Sequence, residues 1–118
     1  MISMREAYEK IGADYDGASV RLTGEEMLAR FALKFLDDES MDKFEAAMAA
    51  GDAESAFMAV HTLKGVSQNL GFDNLYEPAV VVTEALRNAD TVDGARDGMH
   101  ALRQQYAATM SALREAAE

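Results

Sequence analysis

The run Ala59-Val60-His61-Thr62-Leu63-Lys64-Gly65-Val66-Ser67-Gln68-Asn69-Leu70-Gly71 sets a nucleophile, a cation and a helix-weakening glycine close together. On a helical wheel Ala56, Ala59, Leu63, Val66 and Leu70 cluster on the side that must enter a core. His61 falls about 180° from the middle of that cluster, and Lys64, Gly65 and Gln68 lie within about 60° of it. The histidine is therefore expected to face solvent from the middle of a long helix. Gly65 stands one turn on, where helix propensity would favour Ala by about 1 kcal/mol. A mid-helix Gly beside an exposed His suits the close approach of something large to the imidazole.

Charge sharpens this reading. From Ser55 to Phe72 there is no Asp or Glu, although the chain carries 21 acids among 118 residues. The only ionisable groups of that window are His61 and Lys64. Such surroundings suit a group that must carry a phosphoryl dianion. Imidazole is partly neutral at physiological pH and nucleophilic, so it can attack a phosphorus centre without an external base. Lys64 would lessen repulsion between incoming and bound phosphoryl oxygens. Gln68, two turns along, could hydrogen-bond the imidazole or a phosphoryl oxygen. His100 follows a core-type Met99, has no Gly or Lys in register, and reads as an ordinary surface residue.

The elements that must hold this face read as helical throughout, and only Val80-Val81-Val82-Thr83 forms a β-branched run. Ser3-Met4-Arg5-Glu6 reads as a capping box opening a short helix, with Met4, Tyr8 and Ile11 on one face and Gly12 at its end. Asp14 to Leu22 predicts one further short helix or turn. Thr23-Gly24-Glu25-Glu26 reads as a second capping box, followed by Leu28, Phe31 and Phe35 on one face. Met41, Phe44 and Met48 form a stripe out of phase with Phe35, which predicts a break or kink at Asp37-Asp38-Glu39-Ser40. Gly51 closes that helix, and Asp52 caps the next, which runs to about Leu70 with Gly71 at its stop. Phe72, Leu75, Ala79, Val82 and Leu86 mark another helix. Pro78 would forfeit the bond to the carbonyl of Asn74, so the regular helix either begins near Tyr76 or kinks. The last helix is predicted from about Thr91 or Val92, with Ala95, Met99, Leu102, Tyr106, Met110 (or Thr109) and Leu113 as its stripe.

Short loops demand antiparallel neighbours. The expected fold is all-α: an up-and-down antiparallel four-helix bundle with one or two short N-terminal helices. One domain is expected over 1–118, with 1–22 as N-terminal capping helices and 23–118 as the bundle, without repeat or linker. Apolar residues make up 49% of the chain, enough for a packed interior. The net charge of −10 argues against a nucleic-acid backbone or an anionic membrane as partner. With no Cys, disulfides, thiol catalysis, zinc fingers and Fe–S clusters are excluded. The opening MISMREAYEKIG is neither a signal peptide nor a membrane span, so a soluble cytoplasmic domain is expected. A monomer is expected as well.

The run His61-Thr62-Leu63-Lys64-Gly65, continued by Val66-Ser67-Gln68-Asn69-Leu70-Gly71, closely resembles the signature of histidine-containing phosphotransfer (HPt) domains of multistep phosphorelays. The resemblance extends to Ala50-Gly51-Asp52 before this helix and Glu84-Ala85-Leu86-Arg87 after it, covering roughly residues 24 to 90. One position departs: Val66 stands where many members have Ser. The resemblance implies that His61 is the phospho-acceptor, exchanging a phosphoryl group with the aspartate of a response-regulator receiver domain. It also implies a hybrid sensor histidine kinase as a partner, and no cofactor of its own, because the receiver supplies Mg²⁺. Phe57 and Met58, within about 60° of the His61 face, either pack against flanking helices or form an apolar rim where the receiver docks. With no Gly-rich phosphate loop, the chain is expected to be a free-standing phosphocarrier without independent turnover. The alternative is a non-catalytic docking bundle that binds or sequesters receivers, against which the intact His61, Lys64 and Gly65 weigh. A third reading, the acceptor domain of a chemotaxis-type kinase, calls for fused dimerisation and ATP-binding domains.

Overall fold

The structure, a computed structural model, describes residues 1–117. Glu118, the last residue of the expected single domain, lies outside the described residues. Among the described residues the chain is all-helical: α1 (Met4–Ile11), α2 (Tyr15–Arg21), α3 (Glu25–Lys34), α4 (Ser40–Ala50), α5 (Ala53–Asn69), α6 (Asp73–Leu86) and α7 (Met99–Ala117). Single 3-10 segments lie at Phe35–Asp37 and Asp93–Gly98. No helix among them is long and apolar enough to cross a membrane.

Local signals explain most of these boundaries. Ser3 accepts from the Glu6 amide at 3.0 Å while Glu6 accepts from the Ser3 amide at 3.2 Å, completing the first capping box. The second capping box does not form. Thr23 adopts a φ of 62° and turns its hydroxyl to the Leu22 carbonyl, so Gly24 becomes the N-cap of α3 with no side-chain bond. The slip after Phe35 is a real break: a 3-10 turn runs to Asp37, and Asp38 then accepts from the Ser40 amide at 2.8 Å to start α4. Phe31 leaves the expected face and is 39% exposed, with Ala32 buried in its stead.

One of the two alternatives at Pro78 drops out, and α7 starts later than expected. α6 begins at Asp73, not near Tyr76, and runs through Pro78. Asn74, whose carbonyl Pro78 cannot serve, turns its side-chain amide to Gln105 (2.9 Å) and Thr109 (3.0 Å) on α7. α7 begins at Met99, because Gly94 and Gly98 weaken the stretch before it, which winds as a 3-10 segment. Val92 and Ala95 are nonetheless buried, and so are both Thr109 and Met110.

α4 packs on α5, α5 on α6, α6 on α7, and α1 against α7. The core they share holds Leu28, Phe35, Phe44, Leu63, Phe72, Leu75, Leu102 and Leu113. On α5 the buried residues are Ala53, Ala56, Ala59, Val60, Leu63 and Ser67. Val66, expected among them, is only half-buried, and Ser67 takes the fully buried position.

The C-terminal end of α5 is closed by the first two helices. Tyr8 donates its hydroxyl to the Leu70 carbonyl at 2.7 Å, and its ring meets Phe72 and Tyr15 at 5.3 Å and 5.4 Å. Arg21 donates to the Asn69 carbonyl through Nε (3.3 Å) and to the Gln68 carbonyl through Nη2 (3.1 Å). The Asp14 amide donates to the Gly71 carbonyl at 2.8 Å. Along the chain the amides of Leu70, Phe72 and Gly71 meet the carbonyls of Val66, Ser67 and Gln68, while those of Asn69 and Leu70 take their donors from Arg21 and Tyr8.

Candidate functional site

α5 is held at both ends. At its start Asp52 accepts from the Ser55 amide (3.1 Å) and hydroxyl (2.7 Å), and these bonds hold its carboxyl below the usual range. At its end stand Tyr8, Arg21 and the left-handed Gly71, with a φ of 75°. A Cβ on Gly71 would lie 2.5 Å from the Asp14 carbonyl oxygen, so only glycine admits α2 this close. The middle of the helix is thereby fixed as a platform.

His61 is exposed on that platform, and among the described residues its imidazole makes no hydrogen bond. Gly65, one turn on, is also exposed, and a Cβ there would meet nothing within 4 Å. Core packing therefore does not require this glycine. Gln68 is exposed on the same side. A small hollow of about 230 Å³ is lined by Gly65, Gln68, Asn69 and Arg21. Arg21 is thus a second cation beside the site, brought from α2, and nothing in the sequence of α5 signals it.

Lys64 is half-buried rather than fully exposed, and its ammonium forms no ion pair within the described residues. The stretch free of acids in sequence is not free of them in space. α6 brings Glu84 within electrostatic reach of Lys64. The Arg87 guanidinium, hydrogen-bonded to Glu84, holds that carboxyl below its usual range, and the charge of Lys64 adds to this.

Phe57 and Met58 part company. Phe57 is half-buried, its ring nearly parallel to the His61 imidazole at 13°, with centroids 5.6 Å apart. Arg87 sets its Cζ 5.3 Å from the centre of the same ring. Met58 is 60% exposed and lines a groove of about 580 Å³ between α4 and α5, with Ala46, Ala47, Ala50 and Ala59. His100 is exposed on α7 and has no part in this cluster.

The structure thus brings His61, Phe57, Lys64 and Gly65 together on one side of α5, with Gln68 towards its end. Glu84, Arg87 and Arg21 join from other helices. Only the Glu84-to-Arg87 run carried a sequence signal, as part of a resemblance and without a role. Among the described residues no group of three or more His, Asp or Glu side chains could hold a metal ion. An unpaired imidazole, open on the side of Gly65 and with Lys64 on the same side of the helix, can act as a nucleophile.

No curated protein and no solved structure matches the chain. The family model of the Hpt domain matches residues 27–116, which include all of α4, α5 and α6 and most of α7. The chain belongs to the Hpt domain family, whose members carry out histidine phosphotransfer in phosphorelays.

Proposed function

We propose that this protein is a phosphocarrier whose acceptor is His61, exchanging a phosphoryl group with the aspartate of response-regulator receiver domains. The observation that carries the reading is the exposed imidazole with empty space over Gly65. The unprotonated ring nitrogen attacks phosphorus of the aspartyl phosphate. A P–N bond forms as the P–O bond to the carboxylate breaks, and the carboxylate leaves with the electron pair. The other ring nitrogen keeps its proton, so no external base is needed. The reverse step returns the phosphoryl group to a second receiver.

Lys64 offsets charge on the transferring oxygens, and Gln68 is a candidate hydrogen-bond donor to them. The receiver supplies Mg²⁺, and the carrier needs no cofactor of its own. A hybrid sensor histidine kinase, carrying its own receiver, is the upstream partner, and the setting is the cytoplasm. The chain acts as a single-domain monomer, a carrier without independent turnover. The kinked α3–α4 arm, α5, α6 and α7 form an up-and-down antiparallel bundle, which the packing of successive helices supports.

The test is intact-mass spectrometry after incubation with a receiver loaded by acetyl phosphate. One acid-labile, alkali-stable phosphoryl group is expected, absent from His61→Gln, whose helical circular dichroism stays unchanged. An adduct that survives in His61→Gln, or moves only on substitution of His100, overturns the assignment. Binding of the receiver with no adduct at all would favour the non-catalytic docking bundle.

A further inference from the structure

Phe57 and His61 stand one turn apart on the same face of α5, with their rings 5.6 Å apart and 13° from parallel. An exposed histidine on a helix otherwise samples several staggered orientations of its ring. Phe57 cannot follow it, because its ring is half-buried and packs against the core. It is also held from outside. Arg87, at the C-cap of α6, lies over the Phe57 ring at 5.3 Å. That guanidinium is oriented in turn by a two-pronged bond to Glu84, Nε to Oε2 at 3.2 Å and Nη2 to Oε1 at 3.0 Å. The chain of contacts therefore runs from α6 through Phe57 to the imidazole.

We infer that Phe57 is a positioning residue for His61, and that Arg87, steadied by Glu84, keeps the Phe57 ring in place. The inference rests on His61 being the phospho-acceptor, and it replaces the apolar-rim role for Phe57. A stacked imidazole presents one edge outward and spends less time in orientations from which its nitrogen cannot reach phosphorus. The stack also favours the product. The attacking nitrogen gives its lone pair to phosphorus while the other keeps its proton, so the ring becomes cationic, and a cationic ring is attracted to the face of Phe57. A docking residue would instead expose its side chain to solvent, as Met58 does.

Two measurements on the intact chain test this. In the unphosphorylated protein, NMR shifts of the His61 ring protons report the neighbouring aromatic ring directly. Single-turnover transfer from a phosphorylated receiver, followed across receiver concentrations, separates the maximal rate from the half-saturating concentration. Phe57→Leu is expected to remove the ring-current displacement and lower the maximal rate about tenfold, with half-saturation within about twofold of the parent. Phe57→Tyr and Phe57→Trp are expected to restore both readouts. Arg87→Gln, which leaves the core untouched, is expected to shrink the displacement and slow transfer less. His61 shifts that ignore Phe57→Leu overturn the inference alone. So does a raised half-saturating concentration at an unchanged maximal rate, which marks Phe57 as a docking residue. A parent protein that takes no phosphoryl group overturns the carrier reading, and this inference with it.

Discussion

The Tyr8 hydroxyl donates to the carbonyl of Leu70 at 2.7 Å, tying the first helix of the chain to the end of the helix that carries His61. Both partners are buried, so the bond is not exchanged for water when it is lost. Tyr8→Phe keeps the ring contacts and leaves that carbonyl without its donor, for an expected cost of about 1–2 kcal/mol in thermal or urea unfolding.

The same residue sets a pH dependence. Burial pushes the Tyr8 phenol above its ordinary value. The folded state therefore holds this proton more tightly than the unfolded chain does. Its contribution is full below about pH 10, where an unfolded tyrosine begins to ionise, and declines as pH rises beyond that. Tyr15 and Tyr106 are raised as well and keep their share in the variant. Melts of parent and Tyr8→Phe between about pH 8 and about pH 11 are expected to show the gap between them closing at the alkaline end.

Gly71 and Gly51 offer a controlled pair. Both have left-handed backbones, with φ of 75° and 69°, but a Cβ on Gly51 meets nothing while one on Gly71 meets the Asp14 carbonyl. Gly51→Ala is expected to cost about 1 kcal/mol, the backbone penalty alone. Gly71→Ala is expected to cost at least about 2–3 kcal/mol, since α2 must also move. Equal denaturation midpoints for the two variants would mean that the Asp14 contact yields freely.

Gly65 separates access from packing. Gly65→Ala is expected to gain up to about 1 kcal/mol of stability, because the site is open and Ala is the better helix former. Gly65→Gln is expected to slow transfer from a receiver by standing in its path. A Gly65→Gln protein that transfers as fast as the parent would remove the access role.

Lys64 tests charge at the site. Lys64→Ala is expected to cost about 0.5–1 kcal/mol of stability, slightly more than at an exposed position because the residue is half-buried. Rapid-quench transfer is expected to slow about tenfold, some ~1.4 kcal/mol in the barrier. Lys64→Arg recovers part of this, and Lys64→Glu is worse than Lys64→Ala, the more so with Glu84 close by. Equal rates for the Ala and Glu variants would show charge at this position to be irrelevant.

What was legible in the sequence was local. Asp52, Gly71 and the slip after Phe35 act on neighbours a few positions away, and each marks a boundary that the chain adopts. The exposure of His61 followed from the apolar spacing of α5 alone. Where two local signals competed, the reading failed: Gly24 took the N-cap that Thr23 was expected to fill, because Thr23 was needed for the reversal before it. The shift of the buried line from Val66 to Ser67 depends on how α5 rolls against its neighbours, which one helix cannot specify. Arg21, Glu84 and Arg87 reach the site from other helices, so their parts appear only once tertiary packing is known.

The closure of α5 by α1 and α2 bears on how portable this domain is. The family match starts at residue 27, yet Tyr8, Asp14 and Arg21 all precede it. A fragment trimmed to the family's bounds would retain the imidazole, its lysine and its glycine, and would lose the donors that finish their helix. The carbonyls of Asn69 and Leu70 would be left without their donors, at the end of the helix next to Gln68. A chimeric relay built from this protein must therefore graft the opening helices along with the motif, because the transplantable unit is larger than the recognisable one.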